Sequence, residues 1–84
     1  MTVDPQTLLV ENVDLVDRIV AFICKRYNVG AEETEDFASI VKLKLIENDY
    51  AIIRKFEGRS RFSTFLTTVV QRLFLDYRNS VWGK

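Results

Sequence analysis

Residues 56–66 read Phe56-Glu57-Gly58-Arg59-Ser60-Arg61-Phe62-Ser63-Thr64-Phe65-Leu66. This stretch separates two amphipathic segments and sets a glycine, two arginines and a serine between aromatic anchors. Gly58 can take the left-handed conformation that ends one helix, and Ser60 is a cap for the next. Beyond it, Phe62, Phe65, Leu66, Val69, Leu73 and Tyr77 fall on one helical face. Arg61, Thr64, Thr68, Gln71 and Arg72 fall on the other. Loop arginines and helix-start donors suit phosphate, and an exposed ring or small cavity beside them can accept an unstacked base. Phe56 and Phe62 fit the apolar stripes and are expected to plug the core, which leaves Arg59 and Arg61 as the residues with a functional reading.

Upstream, Asp4 followed by Pro5 reads as an N-cap with proline at the first helical position, opening a short helix through about Val10. From Leu9, the residues Val13, Val16, Val20, Ile23 and Tyr27 recur at spacings of three or four, which is one helical stripe. Leu15, Ile19 and Phe22 widen it. Asn28 to Gly30 interrupts the pattern, and Glu32, Glu33, Glu35 and Asp36 crowd the next helix start, where carboxylates favour the positive end of the dipole. That helix runs from about Ala31 to Glu47, with Phe37, Val41 and Leu45 in line and Ile40 beside them. Asn48-Asp49 then caps a short helical piece that turns Tyr50, Ile53 and Phe56 inward. No alternation of period two is long enough for a strand. The reading is an all-α, compact bundle of three main helices plus short helical pieces.

The chain has 84 residues, enough for one domain with one modest core, and 48% of them are hydrophobic, so it is expected to fold. The longest apolar run, Ile19 to Cys24, is far short of the roughly 20 residues of a membrane span, and the acidic N-terminus lacks the basic start of a secretory signal. No membrane association and a cytoplasmic location are therefore expected. Net charge is zero but unevenly placed. Residues 1–50 carry ten acids against five bases, and residues 51–84 carry seven bases against two acids, giving −5 and +5. Such a split suggests two surfaces for two kinds of partner.

Catalytic chemistry finds little support. There is no histidine and a single cysteine, which excludes a Ser-His or Cys-His pair, a zinc set and an internal disulfide. Cys24 reads as a small buried hydrophobe, and no phosphate loop of the Walker type is present. Glu32, Glu33, Glu35 and Asp36 read as a solvated helix start and not as an acid/base or metal cluster. The chain is expected to be no enzyme and to need no cofactor or metal.

Two segments resemble a known family. Glu35-Asp36-Phe37-Ala38-Ser39-Ile40-Val41-Lys42-Leu43-Lys44-Leu45 is similar to helix 2.2 of sigma-70-type transcription initiation factors, and residues 56–66 are similar to the region 2.3 pattern of Phe, any, Gly, any, Ser, any, Phe, two residues, then Trp-Leu. Asp76 falls at the acid carried near the end of that last helix. The resemblance covers about residues 13–80 and is closest to the extracytoplasmic-function type.

It implies a sigma region 2 fold with two partners. Docking on the clamp helices of the largest subunit of the RNA polymerase core would involve Asp36, Ser39, Ile40 and Leu43. Recognition and melting of the −10 promoter element, through its single-stranded non-template strand, would involve Glu57, Gly58, Arg59, Ser60 and Arg61, with Thr64, Thr68 and Arg72 on the helix face. An anti-sigma factor, where one exists, would be a further partner. The resemblance also implies a domain excised from a longer chain with a C-terminal region 4. The chain departs from the pattern in Ser39-Ile40 for Gln-Glu, Phe65 for Trp, Arg72 for Asn, and about four extra residues around Asn48 to Ile53. Two alternatives stand beside this reading: a sigma-fold protein-interaction domain without promoter recognition, and an unrelated bundle that self-associates through Ile40 or Trp82.

Overall fold

The structure, a computed structural model, describes residues 4–81. Trp82, named above as a self-association candidate, lies outside them. Four helices follow in order: α1 (Pro5–Glu11), α2 (Val13–Arg26), α3 (Ala31–Arg54) and α4 (Phe62–Val81). α1 begins as its sequence dictates. The Asp4 carboxylate accepts from the Thr7 backbone N–H at 3.1 Å, and Pro5 occupies the first helical turn.

The stripe read as continuous from Leu9 is broken at Asn12, which leaves the helical conformation at φ −119°. Its amide donates to the Leu8 carbonyl at 2.8 Å, so the side chain takes over an acceptor at the end of α1. The chain therefore turns while the apolar phase is preserved on both sides. Leu9 is buried from α1, and Val16, Ile19, Val20, Ile23 and Cys24 are buried from α2. Phe22 does not widen the stripe inward, because it is 63% exposed.

α3 carries the expected line of Phe37, Val41 and Leu45, all fully buried. It starts at Gly30 without a side-chain cap, with Glu32 and Glu33 in its first turn. The break expected after Glu47 is real, but its geometry is not that of an N-cap. Asn48, Asp49 and Tyr50 stand at φ 55°, 57° and 61°, three consecutive residues in the left-handed region. Asparagine and aspartate tolerate that region because their short side chains bond locally, whereas tyrosine adopts it at a cost of roughly 1–2 kcal/mol. The compensation is visible. Arg54 donates to the Asp49 carbonyl at 2.7 Å, and Ile53 is buried at the far side of the turn.

α4 begins one residue later than a Ser60 cap would place it. The Thr64 and Phe65 N–H groups donate to the Arg61 carbonyl at 3.0 and 3.1 Å, so Arg61 is the first residue to accept a helical bond. The face turned inward is also rotated from the one expected: Leu66, Val70 and Phe74 are buried, while Phe65, Val69, Leu73 and Tyr77 are partly covered.

Aromatic contacts tie the ends of three helices together. Phe74 of α4 lies edge-on to Phe37 of α3 at 5.4 Å and tilted against Tyr27, just after α2, at 4.9 Å. Tyr77 meets Phe37 at 5.2 Å. Such pairs contribute about 0.5–1.5 kcal/mol each beyond the area they bury. Burial pushes the Cys24 thiol up from its ordinary value, with the Thr34 hydroxyl partly opposing. The Tyr77 phenol is also raised, first by burial and then by the charges of Asp36, Glu33 and Cys24.

Candidate nucleic-acid and protein interfaces

The loop between α3 and α4 is polar at its tip and aromatic at its base. Below it, Phe56 lies 5.2 Å from both Phe62 and Phe65, and Phe62 stacks on Phe65 at 5.9 Å. The expectation that Phe56 and Phe62 plug the core is thus met in part: both are half-buried, as members of a three-ring base. Gly58 turns the chain above that base at φ 77°, where a side chain would be strained.

Every loop residue named from the sequence is exposed: Glu57, Gly58, Arg59, Ser60 and Arg61. The loop is not simply cationic, because Arg59 Nε lies 3.1 Å from a Glu57 carboxylate oxygen. Pairs this exposed stabilise by at most about 1 kcal/mol and can open for a better acceptor. On α4, Thr64, Thr68 and Arg72 continue from Arg61 as one exposed line with spacings of three and four. The Thr68 hydroxyl donates to the Thr64 carbonyl at 3.2 Å, which fixes its rotamer and leaves its oxygen lone pairs outward.

The second group of candidates lies on α3. Asp36, Ser39 and Leu43 are exposed and Ile40 is half-buried, all within two turns of one helix flank. Lys42 stands on another flank and reaches α2, where its Nζ is 2.8 Å from the Asp17 carboxylate. The four candidates lie on the side of α3 turned away from its buried line of Phe37, Val41 and Leu45. Ile46, three residues after Leu43, was not singled out from the sequence, yet it is 46% exposed beside a Leu43 that is 63% exposed. The signal for it was its i,i+3 spacing from Leu43. Among the described residues no helix is long and apolar enough to cross a membrane.

These elements define the class of the molecule: an all-α domain of the sigma region 2 type, with a glycine-arginine loop opening its last helix. A family model for sigma-70 region 2 matches residues 13–83, and the chain belongs to that family. Its family role is that of a sigma factor in transcription initiation, a non-enzymatic role whose partners are RNA polymerase core and promoter DNA. No curated protein and no solved structure matched the chain.

Proposed function

We propose that this domain docks on the RNA polymerase core through the α3 flank of Asp36, Ser39, Ile40 and Leu43, and holds the melted −10 element at the opposite end of its working surface. The single-stranded non-template strand would lie across Glu57 to Arg61 and the line Thr64, Thr68 and Arg72. The observation that supports this reading is the joint exposure of those polar residues on a rigid phenylalanine base. Donors held in this way lose little freedom when they bind a phosphate or an unstacked base. Accepting a flipped base costs a few kcal/mol, least in a strand already melting. In this reading the domain acts in the cytoplasm as one part of a longer sigma factor, with region 4 elsewhere in the chain.

The Glu57–Arg59 pair favours a second reading, a sigma-fold docking domain without promoter recognition, because it lowers the loop's positive charge. Salt dependence separates the two. Each phosphate contact to a single strand contributes about −0.7 to the slope of log K against log salt. Binding of a −10-type single-stranded oligonucleotide with a slope steeper than about −1.5, flattened in Arg59→Ala/Arg61→Ala, is expected. Polymerase binding with no oligonucleotide binding would favour the second reading.

A further inference from the structure

Phe22 is the most exposed aromatic side chain among the described residues, at 63%. A residue on a helix has four close surface neighbours, three and four positions before and after it. For Phe22 three of the four are cations, Arg18, Lys25 and Arg26, and all are exposed. The fourth, Ile19, is buried. None of the three cations forms an ion pair among the described residues, although Asp14 stands one turn before Arg18. A single exposed hydrophobe needs no explanation. A phenyl ring framed by three unpaired positive charges is an arrangement with a preferred complement.

This face is built from α2 alone, whereas the surfaces proposed above belong to α3, the Gly58 loop and α4. Asp17 marks the flank of α2 that meets α3, through Lys42 at 2.8 Å. Phe22 lies about 140° round the helix from Asp17, on a different flank. Leu15, seven residues before Phe22, falls within about 20° of the same line and is half-buried, so apolar surface continues along α2 between the charges.

We infer that this face of α2 is a docking site for an acidic amphipathic segment of a partner protein, whose apolar residues cover Phe22 and Leu15 while its carboxylates pair with Arg18, Lys25 and Arg26. Charge complementarity decides the occupant. The ring needs an apolar counterpart and the cations need anions one helical turn to either side of it, and a segment with hydrophobic anchors a turn apart and Asp or Glu between them supplies both. Covering the ring also removes water from the flanking pairs, which strengthens them over exposed ones. The occupant must be short. Residues 18–26 hold all three bases and no acid, but residues 5–26 add Glu11, Asp14 and Asp17. An anionic bilayer or a long polyanion laid along α1 and α2 therefore meets no net attraction, whereas a short acidic segment confined to the last turns of α2 meets only cations. The site does not depend on the promoter or polymerase contacts proposed above.

The test is fluorescence anisotropy of the 84-residue chain with two labelled probes, an amphipathic peptide of Glu, Leu and Phe and the same peptide with Lys in place of every Glu. Phe22→Ala, Arg18→Glu/Arg26→Glu, Leu43→Asp and Arg59→Ala/Arg61→Ala are compared after their helicity and Tm are checked. The unaltered chain is expected to bind the acidic peptide and not the lysine peptide, more weakly as salt rises. Phe22→Ala should weaken that binding about tenfold. Arg18→Glu/Arg26→Glu should lose the acidic peptide and gain the lysine one, an exchange that mere loss of structure does not produce. Leu43→Asp and Arg59→Ala/Arg61→Ala should bind the acidic peptide as the unaltered chain does. Failure to bind the acidic peptide refutes the site, as does binding that survives both α2 variants. Loss in the Arg59→Ala/Arg61→Ala variant alone would place the peptide on the loop and overturn the inference. So would Phe22-dependent binding of phosphatidylglycerol vesicles or an oligonucleotide in place of the peptide.

Discussion

Arg54 holds Asp49 by two bonds at once, its Nε donating to the backbone carbonyl at 2.7 Å and its Nη2 to the carboxylate at 3.1 Å. The clamp grips the middle one of three consecutive residues in left-handed conformation and ties it to the short helical piece that leads to the Gly58 loop. Both side chains are more than half exposed, so the ion pair itself contributes little. The bond to the carbonyl fixes the backbone. Arg54→Met is expected to lower stability by about 0.5–1.5 kcal/mol, measured by urea unfolding, and to raise amide exchange in residues 48–60 more than in α2.

Asn48 offers the complementary change. Glycine reaches φ 55° without a Cβ penalty, so Asn48→Gly should be neutral or slightly stabilising, whereas Asn48→Val should cost about 1–2 kcal/mol because a β-branched residue is strained there. Thermal melts of the two variants test the sign of each effect.

The burial pattern reverses the reading of two phenylalanines, since the sequence set Phe22 in the α2 stripe and left Phe74 out of the α4 face. Phe74 is 1% exposed and joins α4 to α3 and to Tyr27, while Phe22 is 63% exposed. Phe74→Ala is expected to cost about 3–5 kcal/mol, a large part of the stability of a small domain, and Phe22→Ala less than about 0.5 kcal/mol. Equilibrium unfolding of both variants would show the contrast.

Stability should fall at alkaline pH. The Cys24 and Tyr77 groups have folded-state values raised above their ordinary ones, chiefly by burial. A raised value means that the folded state holds its proton longer than the unfolded chain, so the stabilisation is complete below the ordinary thiol and phenol values of about 8.5 and 10. It is then lost as pH rises through the folded values. Tm is expected to be level from pH 6 to 8 and to decline above about pH 8.5. Cys24→Ala should reduce the first part of that decline.

How legible this was in the sequence differs by element. The α2 and α3 stripes were readable because their apolar residues occupy one flank each. α4 was harder: Phe65, Leu66, Val69, Val70, Leu73, Phe74 and Tyr77 supply two adjoining stripes, and the period alone does not choose between them. Packing of Phe74 between Phe37 and Tyr27 chooses. The short first helix was read to about Val10, close to its end at Glu11, but the apolar phase that runs through Asn12 gave no sign of the turn there. Asn48-Asp49 did signal a break, but the same residues serve as caps and as left-handed turns, and the Arg54 clamp that selects the turn acts from five residues away. The loop residues and the α4 line were readable as a polar surface. Phe22 was hidden by its own hydrophobicity, which assigned it to the core until the phase of α2 was fixed by its neighbours.

The central claim is that one small bundle carries two separable surfaces, and the most direct measurement is parallel binding of the chain to purified RNA polymerase core and to single-stranded −10-type DNA. Leu43→Asp and Arg59→Ala/Arg61→Ala are the variants to compare, since all three positions are exposed and their substitution should leave Tm within about 1–2 °C. Leu43→Asp is expected to lose polymerase binding at least tenfold and to keep DNA binding, with the reverse for the arginine variant. Equal loss of both activities in either variant would contradict it.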